Sequence, residues 1–412
     1  MTIQPPRLER VGDVYTLKWD IEKIKINIDH IAEEKHAVWG EFVVSLNTQS
    51  KEVHLHHGVV NLLATTSKNT LTKQLEARDI NRQTVLDWGA IVEQACMVAL
   101  RAYREGEPII QAGNLPERTT PRYMFYPYIL MGEISAFYGF GGSGKSFLAT
   151  FLALAVQCNF AIWGVKPIQG NVLYLDWEAS SVTFDERVKA LKTGMGIESN
   201  NLVYYRRCHH RLSHDISEVQ RAVAEKNISL VIIDSVGMAS GIDQQFHSSA
   251  LEFLRAARSL GISVLCIDHK PKGEDSMFGS VYKTNECRSA FDVRGSQTPG
   301  DSFLDVGIFH RKMNDGPLAK ARAYRLEFEG DQDRTNSITL TPQDITQLGD
   351  LAQAVSCKER ILRLLLTEGK MTSNQIAEAL QEKEDKVRTT LNRYKTYFLR
   401  MGNEWGLLVE PE

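Results

Sequence analysis

Through residues 1–66 apolar and polar positions alternate in four short runs, VYTLKWD, IKINID, AVWGEFVVSL and EVHLHHGVV, with glycine, asparagine and charged breaks between them. A period of two marks a strand with one covered face, so this stretch predicts a β-rich domain. Over 67–115 the period lengthens and predicts a helical region. It is clearest in DWGAIVEQACMVALRAYREGE, where Ile91, Ala95, Val98, Leu100 and Ala102 mark an apolar side. The stretch PIIQAGNLPERTTPRYMFYPYILMGE carries prolines and glycines and reads as a linker. It leads into a core spanning 116–345. From about residue 133 onward strand-like runs alternate with helical ones, the pattern of a parallel sheet with helices on its faces. After TPQDITQLGD, residues 352–412 form a last small unit.

Composition changes this picture little. The chain has 412 residues, enough for two to four domains, and 43% of them are hydrophobic, enough to fill a sizeable core. The formal net charge of −3 excludes a globally basic protein, so any nucleic-acid contact must come from local patches. Six cysteines are scattered without a CxxC pair, which fits a reducing cytoplasm and neither a disulfide framework nor a zinc knuckle. MTIQPPRLERVGD is no signal peptide and no apolar run approaches a membrane span. The expectation is a soluble cytoplasmic protein with no membrane partner.

The chemistry concentrates in AFYGFGGSGKSFLATFLALAV, residues 136–156. A strand, a glycine-rich turn, a Lys-Ser pair and a helix follow one another in the P-loop order. Its glycines let the backbone wrap phosphate closely, and successive amides with the helix N-terminus supply partial positive charge. Gly139, Phe140, Gly141, Gly142, Ser143, Gly144, Lys145, Ser146 and Phe147 are therefore the expected ATP-binding residues. Lys145 reaches the β- and γ-phosphates and Ser146 joins a Mg²⁺ shell. The buried strand LVIID ends in Asp234, the expected second Mg²⁺ group. NVLYLDWEAS ends in Asp176, Trp177 and Glu178, and a carboxylate there can orient water and accept its proton. Glu178 is the first candidate and Asp176 the reserve. A fourth strand, ISVLCIDHKPKG, ends in Asp268 and His269.

Taken in order, the P-loop, YLDWEAS, VIIDSVG, CIDHKPKG, GSVYKTNECRSA and HRKMNDGP resemble the RecA-like ATPase core of plasmid RepA-type hexameric replicative helicases, relatives of the DnaB-like helicases. The resemblance covers about residues 130–328. It implies an α/β fold with a RecA-like P-loop core, a catalytic glutamate at Glu178, a metal aspartate at Asp234 and a γ-phosphate sensor at His269. It also implies an arginine finger for the neighbouring subunit's ATP at Arg288, nine residues after Gly279, with Arg294 and Arg311 as rivals. The KMNDGP turn puts Lys312 and Asn314 at the intersubunit face, Asn314 standing where DnaB-like members carry arginine. A homo-oligomer follows, with a hexameric ring as its expected form.

For single-stranded DNA, the segment HKPKGEDSMFGSVYKTNE offers Lys270, Lys272 and Lys283 to phosphates and Phe278 and Tyr282 to bases. The final unit reads as a winged helix: KERILRLLLTEG, a Thr-Ser-capped MTSNQIAEAL, a third helix KEDKVRTTLNRYKTYF and a wing turning at Gly402-Asn403. Its third helix presents Arg388, Asn392 and Arg393 for duplex DNA; the alternative use is contact with a protein partner. His54, His56 and His57 lack an evident further ligand and read as a surface strand, and RRCHHR at 206–211 as a solvated edge. The sequence thus points to an ATP-driven motor on single-stranded DNA in replication or repair. Its rivals are an ATPase that remodels protein–DNA complexes without unwinding and a nucleotide-controlled DNA-binding initiator.

Overall fold

The computed structural model describes residues 3–47, 52–79, 86–105, 109–114, 117–241, 247–270, 287–331 and 333–408. Five antiparallel strands come first: β1 (Arg7–Val11), β2 (Val14–Trp19), β3 (Ile24–Glu34), β4 (Ala37–Asn47) and β5 (Glu52–Asn61), paired in chain order. Their alternation puts Tyr15, Leu17, Ile26, Ile28, Phe42 and Val44 on one buried face. Two helices, α1 (Thr65–Arg78) and α2 (Trp88–Glu105), cover that face. The apolar stripe of α2 differs from the expected one. Trp88, Ile91, Val92, Ala95, Cys96 and Ala99 are buried, whereas Val98, Leu100 and Ala102 are only partly covered. Spacing of three and four residues keeps the first set on one side of the helix; 98 and 100 lie beyond its margins, whereas 102 falls on that side in the helix's last turn.

The expected linker also holds structure. Its second half folds into a hairpin, β6 (Tyr123–Phe125) and β7 (Ile129–Leu130), whose Met124, Phe125, Tyr128 and Ile129 join the main core. That core is a nine-stranded sheet. Its strands are β8 (Ile134–Gly139), β9 (Asn171–Asp176), β10 (Tyr204–Arg207), β11 (Ile228–Asp234), β12 (Ser263–His269), β13 (Ser289–Ser296), β14 (Phe303–Met313), β15 (Arg322–Gly330) and β16 (Thr335–Gln343). The spatial order is β10-β9-β11-β12-β8-β13-β14-β15-β16, parallel from β10 to β13 and antiparallel beyond. The parallel strands are covered on both faces and read as continuous apolar runs. Phe137, Tyr174 and Ile232 face α3 (Lys145–Gln157) and α4 (Ser181–Met195). Ala136, Leu175 and Ile233 face α5 (Leu212–Glu225), α6 (Val236–Ser240) and α7 (His247–Ser259). Among the described residues no helix is long and apolar enough to cross a membrane.

Beyond β16, Ile345 and Leu351 pack with Phe309 and Ala323 of the sheet. Three helices, Cys357–Glu368, Ser373–Leu380 and Glu384–Arg393, then surround Ile361, Leu365, Ile376, Val387 and Leu391. Thr372 and Gln375 form a capping box at the second helix. A small sheet of β17 (Met371–Thr372), β18 (Phe398–Met401) and β19 (Glu404–Leu407) closes the unit, its hairpin turning at Gly402 with φ +65°. An ion pair of 2.7 Å between Arg363 and Asp344 ties the unit to the end of the large sheet.

One contact locks α4 across β16. A Cβ added at Gly194 would run into the backbone carbonyl of Ile338, which cannot swing away. Gly194→Ala is expected to lower stability by about 1–3 kcal/mol through overpacking, although alanine favours helix by about 1 kcal/mol over glycine. A urea denaturation midpoint that rises in the variant would refute the contact.

Candidate nucleotide site

The site forms at the C-terminal ends of four parallel strands, with β12 and β8 running two residues past β9 and β11. Asp176 pairs in register with Asp234 across β9 and β11, and His269 with Gly139 across β12 and β8. Gly139 leads into the P-loop. Gly142 and Gly144 adopt positive φ, +74° and +86°, which lets the chain turn into α3 without a Cβ clash. Gly141 and Gly142 face open space, while a Cβ on Gly144 would press on Val306. The loop is thus a backbone cradle open on one side and packed on the other. Lys145 is buried and donates to the carbonyls of Gly139 (3.0 Å) and Phe140 (2.7 Å) and to Ser143 Oγ (3.3 Å). Burial pushes its ammonium down, and Asp234, Glu178 and Asp268 act in the opposite sense.

Asp234 is also buried, and burial pushes its carboxyl up against hydrogen bonds from Tyr174 and Ser146. The Tyr174 hydroxyl donates to Asp234 Oδ2 at 2.7 Å. Ser146 and Asp234 therefore meet, as expected of two groups that share a cation. The residues present fit Mg-ATP: a glycine cradle, a buried lysine, and a hydroxyl beside a carboxylate. When bound, Mg²⁺ there would neutralise phosphate charge.

Asp176 and Glu178 divide their roles. Asp176 is buried, and its Oδ1 accepts from the amides of Glu178 and Ala179, both at 2.8 Å. It therefore folds the turn that presents Glu178, and burial holds its carboxyl above the usual range. Glu178 stands half exposed and accepts from Ser235 Oγ (2.5 Å) and meets His269 Nε2 (3.2 Å). His269 is the main cause that brings Glu178 down to about 2, and Glu178 in return raises His269 above 6.5.

Arg288 lies elsewhere. It precedes Ser289, which pairs with Ser135 near the start of β8, so it sits at the sheet edge opposite the P-loop. Its half-exposed side chain meets Glu133 (3.6 Å) and Asp315 (4.0 Å). Lys312 joins this edge by donating to the Cys287 carbonyl (2.7 Å), and the Asn314 amide donates to the Arg288 carbonyl (3.0 Å). The rivals are tied to another partner: Arg294 and Arg311 lie 2.8 and 3.7 Å from buried Asp292 and both flank the Phe309 ring, although Arg311 is about as exposed as Arg288. Arg294 also lines a cavity of about 450 Å³ beside Phe140 and Gly141.

One expected DNA contact needs correction. Lys270 is buried, faces Asp292 at 3.9 Å and lies over the Phe140 ring at 5.5 Å, so its charge is turned toward the P-loop and away from solvent. Lys272 and Lys283, with Phe278 and Tyr282, lie outside the described residues. Arg388, Asn392 and Arg393 are exposed on the last helix, with Arg388 paired to Glu384 at 2.8 Å.

Sequence reasoning missed Tyr174, Ser235 and Arg187. Tyr174 was legible from its place two residues before Asp176, on the same strand face, and Ser235 from its adjacency to Asp234. Arg187 on α4 lies 5.2 Å from the Phe147 ring, its Nη1 buried with no hydrogen-bond partner among the described residues. No pattern in the sequence singles it out.

A family model described as an AAA domain matches residues 107–275. The match takes in the P-loop and the strands that carry Asp176, Asp234 and His269, and the α/β core with its P-loop is consistent with an ATPase of that kind. Among solved structures, a KaiC-like protein from the hyperthermophilic archaeon Pyrococcus horikoshii OT3 is similar at 14% identity with a TM-score of 0.39, over 53% of this chain and 94% of that one. No curated protein matches the chain.

The Glu178–His269 pair has a defined pH window. A depressed carboxyl contributes stability above its ordinary 4.5 that is lost as pH falls through about 2. A raised imidazole contributes below its ordinary 6.5 and is lost as pH rises through its elevated folded value. The pair is therefore fully effective between 4.5 and 6.5. An NMR titration should place His269 above 6.5 in the native protein and lower in Glu178→Gln; identical midpoints would exclude the pair. The same variant should bind ATP yet hydrolyse it roughly 10²- to 10⁴-fold more slowly, as a phosphate-release assay would read.

Proposed function

We propose that this chain is an ATP-driven motor on single-stranded DNA, hydrolysing Mg-ATP between neighbouring copies of itself in a ring of the kind the RepA-type helicases form. The observation that carries this reading is the place of Arg288. β8 is six residues long, which at about 3.3 Å per residue separates its ends by roughly 20 Å. An arginine at the far end cannot reach its own P-loop, and its half exposure leaves it available to another copy. Lys312 and Asn314 at the same edge support an intersubunit role.

Within one site, Lys145 and the loop amides would bind the phosphates, Ser146 and Asp234 would hold Mg²⁺, and Glu178 would orient and deprotonate water. A carboxylate held at about 2 is a poor proton acceptor. Turnover then requires His269 to release Glu178, and His269 leads directly into the segment that carries Lys272 and Lys283. DNA on that segment would free the base, which couples strand binding to hydrolysis. The exposed Arg388, Asn392 and Arg393 favour a second reading for the C-terminal unit, a winged helix that binds duplex DNA and recruits the ATPase as an initiator or remodeller.

Subunit mixing tests the motor reading. Arg288→Ala and Lys145→Ala should each lose DNA-stimulated hydrolysis, the former by about 10³-fold or more. Combined, they should recover part of it, since an intact Arg288 from one copy completes an intact P-loop on the other. Full turnover by Arg288→Ala, or by a strictly monomeric protein, would overturn it.

A further inference from the structure

The histidine-rich run on β5 takes no part in the nucleotide site. One of its members, His57, meets Glu41 of β4. On the other side of Glu41 the register of β3 slips between Asp29 and Ala32, and His30 takes the left-handed conformation with φ +48°. Successive strand residues ordinarily point to opposite faces, and a bulge re-aims one of them. Here Asp29 and His30, adjacent in sequence, both turn toward Glu41: His30 Nδ1 lies 3.0 Å from Asp29 Oδ1 and 3.3 Å from Glu41 Oε2. The acceptor and donor atoms of these three side chains all lie within 4.8 Å of one another.

Asp29 and Glu41 are direct cross-strand partners, and Asp29 is fully buried. Like charges so placed repel and call for a cation. Arg221 of α5 answers part of that need through Asp29 Oδ2 and leaves Oδ1 directed at His30. Glu41 has two imidazoles around it, His30 at Oε2 and His57 at Oε1.

We propose that Asp29, His30 and Glu41, whose ligand atoms already cluster, bind a divalent transition metal of the zinc type, with His57 turning from Glu41 Oε1 to complete the set. Metal–ligand bonds of about 2.0–2.2 Å set tetrahedral ligand–ligand edges of roughly 3.3–3.5 Å, and the separations at His30 are already close to that. Two imidazoles with two carboxylates are a donor set suited to zinc and its neighbours. Arg221 orients the Asp29 carboxylate from behind, as outer partners of metal ligands do. The metal would pin three strands together where the sheet meets α5, with Ser217 at 3.4 Å from the His30 ring on the other side of the seam.

Cobalt(II) titration of the full chain, stripped with chelator and kept free of nucleotide and Mg²⁺, tests this. One equivalent should bind with the intense visible absorption of a tetrahedral site and be displaced by zinc. His57→Ala and Glu41→Gln should each weaken binding by roughly tenfold or more. His30→Asn should do the same while keeping the left-handed backbone, which asparagine tolerates. Asp234→Asn should leave the signal unchanged, since it belongs to the nucleotide site, and retained ATP binding in the His57, Glu41 and His30 variants reports an intact fold. Absence of a stoichiometric cobalt signal, or equal binding by native protein and His57→Ala, would leave an ion-pair network only and overturn the proposal.

Discussion

Three buried carboxylates, Asp176, Asp234 and Asp268, gather at one end of the core sheet, and Asp234 and Asp268, with Glu178, act on the buried ammonium of Lys145. None of these charges is cheap to remove from water alone. Burial drives Asp176 and Asp234 up and the lysine down, while the carboxylates Asp234, Glu178 and Asp268 act on the lysine in the opposite sense. The rest of the site follows from keeping that balance. Lys145 can stay charged only while its three donors are occupied, so the loop folds its carbonyls back onto it. Asp234 can stay ionised only while Tyr174 and Ser146 point at it.

Backbone pairing carries this order past the strand ends. The Trp177 amide donates to the Asp234 carbonyl at 2.7 Å, the Cys208 amide to the Asp176 carbonyl at 2.8 Å, and the Lys270 amide to the Gly139 carbonyl at 3.0 Å. Each bond extends the sheet ladder by one step into what would otherwise be a free loop. Glu178 and His269 thus stand on segments held as rigidly as strands, the placement that a catalytic group needs to keep its geometry.

This explains what the sequence could and could not tell. The P-loop and the Asp234 strand were legible because a strand covered on both faces writes an unbroken apolar run and because a phosphate cradle needs glycine at fixed places. Asp176 was held in reserve as a base because an aspartate that folds a turn and one that activates water look alike until the amides of Glu178 and Ala179 are seen to bind it. Lys270 was expected in solvent, since a lysine two residues from another in a polar stretch gives no sign of a buried partner as distant in sequence as Asp292. The hairpin at 123–130 was hidden by its prolines, which mark turns whether or not the residues between them are buried. The bulge at His30 was invisible for a related reason: a slip of register is decided by what the neighbouring strands and α5 offer, and alternation within one strand does not record it.

β13 gives the two edges of the sheet a mechanical connection. It begins next to Arg288 and ends where Gly295 packs so closely on the P-loop that a Cβ there would sit 2.8 Å from the Ser143 Cα. It is paired to β8 on one side and to β14 on the other, with Phe291 and Val293 in the core. Pairing with β8 holds Ser289–Asp292, and pairing with β14 runs along the strand past a register shift between Ala290 and Phe291, so the strand resists moving on its own. A displacement imposed at Arg288 must therefore move the P-loop or break the pairing, and breaking it would cost several backbone hydrogen bonds and expose apolar surface. One continuous element thus joins the Arg288 end of the sheet to the P-loop of the same chain. In the proposed ring, such an element is what would let one copy sense the state of the next.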